Sequence, residues 1–259
     1  MNCRLELAVS ELRDYEQWHR RYDDPTSDLS WRLRTVQSYL RQALDSYTGP
    51  IRILSCCSGD GRDVLEVLAQ RRDAERVSAV LVEAHPVIAD HARRSAAAVA
   101  AQVEVRTADA GITDTYLGAV PAELVLLVGI LGNISDTHLA QTIATAPALC
   151  QPAATLLWSR ARADGNRNDL VRAHFAAAGF SELHYATLDR DSWPAVGVVR
   201  YDGIPMSLPT GKSCSPFCAD PWGKSSNLAA DSASALGVPA GYAMPSTMVQ
   251  RTCRTVLMG

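Results

Sequence analysis

Apolar residues recur every three or four positions through the first part of the chain. They then give way to short apolar runs separated by helix-length stretches. Residues 11–47 read as two helices. Glu11 to Tyr22 is polar, with Leu12, Tyr15, Trp18 and Tyr22 about a turn apart. Asp28 to Ser46 repeats Leu29, Leu33, Val36, Leu40 and Leu44 behind Ser27 or Asp28 as N-cap. Tyr22-Asp23-Asp24-Pro25-Thr26-Ser27 between them is a loop signal, and Thr48-Gly49-Pro50 closes the segment. From residue 51, strands are expected at Ile51–Leu54, Val77–Val82, Val103–Val105, Leu124–Val128, Thr155–Trp158, Ser181–Leu188 and Val196–Tyr201. Leu124–Val128 lacks polar alternation, as befits a strand covered on both faces. Between the strands, one helix carries Val64, Leu65, Val67 and Leu68, and another starts at Pro86 and runs from Val87 to Ala101. A third is capped by Ser135 and carries Leu139 and Ile143, and a fourth runs through Leu170, His174 and Phe175 to stop at Gly179. The alternation predicts an α/β fold: a doubly wound, mostly parallel, seven-stranded sheet with an N-terminal helical cap.

The expected divisions are a helical cap or lid over 1–48, the sheet domain over 49–209, and an irregular tail over 210–259. The tail is rich in Ser, Ala, Gly and Pro and shows no helix face or strand pair. One reading is a loosely ordered tail. Another comes from the genetic code. Lys212-Ser213-Cys214-Ser215-Pro216-Phe217-Cys218-Ala219-Asp220 can be encoded so that a different frame gives Val-Leu-Phe-Thr-Phe-Leu-Arg-stop. On that reading, residues from about 212 onward are a frame-shifted extension.

Composition narrows the function classes. The 259 residues are 47% hydrophobic and 20% charged, with 25 Lys+Arg against 28 Asp+Glu and a formal charge of −3. That balance offers no electrostatic footprint for nucleic acid or an anionic membrane surface. The start, Met1-Asn2-Cys3-Arg4-Leu5-Glu6, lacks the apolar stretch of a secretory signal, and Leu124–Leu131 is far short of the roughly 20 residues that span a bilayer. The seven cysteines are odd in number and scattered, and Cys214/Cys218 has no matching second pair for zinc. The expectation is a soluble, reduced, cytoplasmic protein without a metal.

Three features sit at the carboxyl ends of successive expected strands, where open α/β sheets bind ligands. In Ser55-Cys56-Cys57-Ser58-Gly59-Asp60-Gly61-Arg62-Asp63, the glycines allow a tight turn and close backbone approach to a ligand ahead of a helix N-terminus. Glu83 ends the second strand 22 residues beyond Gly61, a spacing that suits a carboxylate accepting from both hydroxyls of a ribose. Asp109, in Thr107-Ala108-Asp109-Ala110-Gly111, is a short acceptor that can read an adenine amino group beside neighbouring backbone. A dinucleotide site wants a third glycine where Val64 stands, and no triphosphate-binding loop is present. A ligand with ribose and adenine but no phosphates fits better.

At these residues the sequence resembles the class I S-adenosylmethionine-dependent methyltransferases, over about residues 50–201. Ile51 to Gly61 is similar to the first motif of that family, Leu81-Val82-Glu83 to its second, Ala108-Asp109-Ala110 to its third and Glu123 to Gly129 to its fourth. More closely, Gly59–Asp63, Gly132–Asp136 and Tyr22–Pro25 look like an actinobacterial branch. The resemblance implies a Rossmann-like domain and S-adenosyl-L-methionine as cofactor. It implies that the Gly59–Gly61 turn holds the methionine moiety, Glu83 the ribose and Asp109 the adenine. The implied cofactor set is Cys57, Gly59, Asp60, Gly61, Glu83, Asp109, Ala110 and Gly129. Two positions depart from the pattern: Ser55 stands for the usual acid and Cys57 for the usual first glycine, so Asp60 or Asp63 is expected to replace the contact to the methionine amino group.

The acceptor side is less determined. Nucleobase amino-methylating relatives usually carry Asp/Asn-Pro-Pro-aromatic after the fourth strand, where this chain has Gly129-Ile130-Leu131-Gly132-Asn133. The expectation is a small-molecule acceptor and no nucleic acid or membrane partner. Asn133 can orient an acceptor or the methionine carboxylate, or make a loop hydrogen bond. His138 is a candidate general base, set against a solvated helix-surface histidine. Arg62 and Asp63 read as a surface pair or a cap. Tyr22 and Trp31 are the aromatic candidates for lining the pocket against the sulfonium, with core packing as the other reading. A catalytically silent nucleoside-binding module and an NAD-dependent oxidoreductase are the alternatives.

Overall fold

The computed structural model describes residues 21–161, 166–209 and 211. Most of the expected first helix and nearly all of the 210–259 segment, the frame-shift reading included, lie outside the described residues. Residues 21–23 are helical and lead into the expected loop, in which Asp24 Oδ1 accepts from the Thr26 amide at 2.8 Å. Helix α1 then runs Asp28–Ser46, and its N-cap is Ser27, whose Oγ accepts from the Ser30 amide at 3.1 Å.

Seven strands follow: β1 (Ile51–Cys56), β2 (Val77–Glu83), β3 (Gln102–Thr107), β4 (Ala122–Leu127), β5 (Cys150–Arg160), β6 (Phe180–Thr187) and β7 (Ala195–Tyr201). Their order in the sheet is β3-β2-β1-β4-β5-β7-β6. The first five are parallel, while β7 pairs antiparallel with both β5 and β6. Helices α2 (Arg62–Ala69), α3 (Pro86–Ala96), α4 (Asp136–Thr145) and α5 (Asn168–Ala177) make the crossovers. This is the expected doubly wound, Rossmann-like α/β fold. The strand order reverses direction between β1 and β4, so the crevice for a ligand opens at the carboxyl ends of those two strands.

Two apolar layers sandwich the sheet. One joins Val36, Leu40 and Leu44 of α1 and Val64, Leu65, Val67 and Leu68 of α2 to Ile51, Ile53, Leu124 and Leu126. The other gathers Leu139, Ile143, Val171 and Phe175 beneath Leu54, Val125, Leu127 and Trp158. Helix α1, expected within a cap, is thus layered on the sheet itself. Gln37 fixes it to α2, donating from Nε2 to Glu66 Oε2 at 2.7 Å and to the Arg62 carbonyl at 3.2 Å.

Local signals placed most boundaries. Ser135 caps α4 by accepting from the His138 amide, Pro86 opens α3, and Gly179 (φ 86°) follows α5. Helix α3 ends at Ala96 rather than Ala101. There Ala98 and Val99 bond three residues back, to the Ser95 and Ala96 carbonyls, and so tighten the chain toward the edge strand β3. Strand β5 is far longer than its apolar run. Its first residues include Pro152 and Ala153, the latter at φ 65°, near a register shift against β4.

Candidate functional site

The site forms where β1 hands over to α2. Ser58 donates its amide to the Val82 carbonyl at 2.8 Å, and Gly61 donates to the Ser58 carbonyl at 3.0 Å, which curls the chain over the end of the sheet. Gly61 has φ 75°, and a Cβ there would lie 2.8 and 2.9 Å from the Leu65 and Leu81 side chains, so both the backbone and the packing favour glycine. Gly59, at φ 58°, is different: a Cβ there would meet nothing within 4 Å. The space over the turn is open, as a turn that cradles a ligand requires. Cys57, at the family's first-glycine position, also takes a positive φ of 49°, so the backbone keeps a glycine conformation although the side chain does not.

Glu83 faces this turn. Its Oε2 accepts from the Gly59 amide at 2.9 Å, and its Oε1 accepts from the His85 amide at 2.8 Å. Each oxygen keeps a lone pair beyond these bonds, the acceptor capacity a vicinal diol needs. The Glu83 carbonyl in turn accepts from Ala108 at 3.2 Å, which joins the tips of β2 and β3 and sets Asp109 alongside. Asp109 Oδ1 accepts from the Gly111 amide at 2.7 Å, and among the described residues none donates to its Oδ2. Ala110 is buried, and its carbonyl accepts from Tyr116 Oη. The glycine turn, Glu83 and Asp109 therefore lie on three adjacent strand tips.

Among the other expected residues, Asp60 is committed locally: its carboxylate takes bonds of 2.6–3.1 Å from the Arg62 guanidinium and one of 3.3 Å from the Arg62 amide. Arg62 thus engages one of the two carboxylates, Asp60 and Asp63, expected to stand in for the missing acid. The expected Arg62–Asp63 surface pair does not form, since Arg62 pairs with Asp60 and the Oδ1 of Asp63 is buried without a hydrogen bond. Gly129 turns the chain after β4 at φ 75°, and its amide donates to Ser159 Oγ at 2.9 Å. Asn133 donates from Nδ2 to the Gly129 carbonyl at 2.7 Å, the loop bond rather than a free amide. His138 lies in the first turn of α4, and among the described residues no side-chain hydrogen bond joins it to the glycine turn, Glu83 or Asp109. Trp31 is partly buried and packs against the apolar layer under α1. The Tyr22 ring is engaged by two guanidinium groups, Arg62 at 4.3 Å and Arg32 at 5.8 Å from its centroid.

No protein-family model matches this sequence, and no curated protein is significantly similar to it. Solved structures are similar in fold. Magnesium protoporphyrin IX methyltransferase from Synechocystis PCC 6803, with bound SAM, aligns at TM-score 0.56 and 15% identity over 72% of this chain and 90% of that one. The Burkholderia thailandensis 1,6-didemethyltoxoflavin-N1-methyltransferase, with bound 1,6-didemethyltoxoflavin and S-adenosylhomocysteine, aligns at 0.54 and 17% over 76% and 88%. The CurJ carbon methyltransferase aligns at 0.54 and 14% over 66% of this chain and 54% of that one. What this chain shares with them is the fold.

Arg32 is the site residue that sequence reasoning missed. It reaches from α1 to the tip of β4, where its Nη1 lies 3.3 Å from the position of a Cβ on Gly129, and its Nη2 donates to Tyr22 Oη. A signal existed: Arg32 begins the four-residue row continued by the buried Val36, Leu40 and Leu44, a cation on the inward line of a helix. Burial pushes the Tyr22 hydroxyl up to about 12, so it stays a neutral acceptor for Arg32. Desolvation raises the Asp63 carboxyl, and the nearby Arg32 opposes that shift without overcoming it.

Proposed function

We propose that this chain binds S-adenosyl-L-methionine and transfers its methyl group to a small-molecule acceptor. The observation that carries the reading is the Gly59 turn, open above Gly59 and hydrogen-bonded to Glu83, with Asp109 on the adjoining tip. In this reading Glu83 takes the ribose hydroxyls, Asp109 and the Ala110 backbone take adenine, and Cys57, Gly59, Asp60, Gly61 and Gly129 line the path of the methionine chain. The fold shared with methyltransferases crystallised with SAM or S-adenosylhomocysteine supports the choice of cofactor. The 1,6-didemethyltoxoflavin bound in one of them supports a small-molecule acceptor. The nearly balanced charge, and the lack among described residues of a helix long and apolar enough to cross a membrane, agree with that class.

When bound, the cofactor supplies a methyl group already activated by a sulfonium. The chain then has to align the acceptor and exclude water, and alignment of this kind contributes on the order of 7–11 kcal/mol. Residues 49–209 hold the adenosine end of the cofactor in this reading, and the described part of the segment 1–48 borders the site through Arg32. His138 is the candidate base for a hydroxyl acceptor, and Asn133 acts by fixing the Gly129 loop.

The dinucleotide alternative is disfavoured by Val64, fully buried where a third glycine would let helix and strand approach. A silent binding module is the other reading, favoured by Ser55 and Cys57 at the first motif. Calorimetry of the chain with S-adenosylhomocysteine and with NAD tests the first choice: binding of the former alone is expected, and binding of NAD alone overturns the reading. Formation of S-adenosylhomocysteine from S-adenosylmethionine with any acceptor in a small-molecule panel separates an enzyme from a silent module.

A further inference from the structure

Arg32, beside Gly129 at the β4 tip, and Asp63, in the first turn of α2, lie within electrostatic reach of each other, yet among the described residues no ion pair joins them. Each is left with a buried polar atom that makes no hydrogen bond, Nε of Arg32 and Oδ1 of Asp63. Nη1 of Arg32 lies against Gly129, 3.3 Å from where a Cβ would stand. Neither neighbour reaches these two atoms: Arg62 pairs with Asp60, and Tyr22 Oη accepts from Nη2 of Arg32 rather than from Nε. Two opposite charges held apart in a desolvated place are costly unless something pairs both. A ligand group of one sign would satisfy one of them and leave the other.

We infer that Arg32 and Asp63 form a clamp for an α-amino-acid zwitterion, the carboxylate taken by Arg32 and the ammonium by Asp63. This rests on the reading of the site as one for S-adenosylmethionine, whose methionine end carries such a group, and it places the compensation for Ser55 outside the glycine motif. Three contacts make the clamp rigid. Gln37 ties α1 to α2, the row Val36, Leu40 and Leu44 packs α1 on the sheet, and Tyr22 bonds Arg32 while its ring meets Arg62. The adenosine end would lie on the β1, β2 and β3 tips, and the amino-acid end at the switch point between β1 and β4.

The test is calorimetry of the full chain and of Arg32→Met and Asp63→Asn. The ligands are S-adenosylhomocysteine, 5′-methylthioadenosine (the same adenosine and thioether without the amino acid), and decarboxylated S-adenosylmethionine. Both variants should weaken S-adenosylhomocysteine by about 10–100-fold and leave 5′-methylthioadenosine within about twofold. Decarboxylated S-adenosylmethionine should be weakened by Asp63→Asn and left unchanged by Arg32→Met. Retained methylthioadenosine binding also reports that the variants are folded. If the variants weaken both thioethers equally, or neither, the clamp is wrong while the cofactor reading stands. If the unaltered chain binds none of the three ligands, the cofactor reading fails and the clamp falls with it.

Discussion

The Gly59 amide donates to Glu83 Oε2 at 2.9 Å, so the turn after β1 and the acid that ends β2 are one hydrogen-bonded unit. Any ligand that touches one touches the other, and damage to Glu83 reaches the backbone of the turn. Glu83→Ala leaves the Gly59 and His85 amides without their acceptor and should weaken S-adenosylhomocysteine by about 100-fold, with a stability loss of about 1–2 kcal/mol. Glu83→Gln keeps one acceptor oxygen and should lose about tenfold. Calorimetry beside a urea melt checks both, and equal affinity of Glu83→Ala and the unaltered chain would remove Glu83 from the site.

Cys57 gives a second check on the turn. Its φ of 49° is the left-handed region, which costs a side-chain-bearing residue roughly 1–2 kcal/mol. Cys57→Gly should therefore leave stability within about 1 kcal/mol and preserve cofactor binding, because the strain it relieves offsets the flexibility it adds. A β-branched residue suffers most there, so Cys57→Val should lose about 1–3 kcal/mol. Urea midpoints in the reverse order would mean that the packing of the thiol, not the backbone, decides this position.

Much of this was legible in the sequence because it is local. Ser27, Ser135 and Pro86 mark helix starts by satisfying or lacking specific amides, and Glu83 stands out by its distance from a glycine turn. What escaped is non-local. The insertion of β7 between β5 and β6 follows from pairing across the sheet, to which hydrophobic period is blind. Residues 150–154 look unlike a strand because Pro152 and the bend at Ala153 interrupt the apolar run. Arg32 was hidden for the opposite reason: a charge on a helix reads as solvated until the sheet beneath it is known.

Trp158 and Gly197 are paired residues on antiparallel β5 and β7, and the indole occupies the place of the missing side chain. A Cβ on Gly197 would lie 2.2 Å from Trp158, which is itself fully buried and stacked on Phe175 at 5.9 Å. Gly197→Ala must push the ring into that stack and should cost about 1–3 kcal/mol, with most of it recovered by adding Trp158→Phe. Denaturant melts of the two single variants and the double variant measure this coupling. Additive losses would show that the ring can move aside freely.

Asp63 links stability to the site. Desolvation raises its carboxyl; Arg32 and Arg62 pull it down, and Asp60 and Glu66 push it up. Because its pKa is higher in the folded chain than the ordinary 3.8, folding is favoured by the protonated form. The contribution is complete below the unfolded value and is lost as pH rises through the folded one. Asp63→Asn cannot ionise, so the variant should match the unaltered protein in mildly acid solution. At pH 7 it should exceed the unaltered protein by about 1–3 kcal/mol, the penalty of a buried group left unpaired. Urea melts from pH 4 to 8 should show the gap opening with pH. The same substitution that steadies the empty protein is expected to weaken its hold on an ammonium group, which is how a residue kept for binding differs from one kept for folding. A gap that stays constant across the range would mean that Asp63 is ionised without penalty.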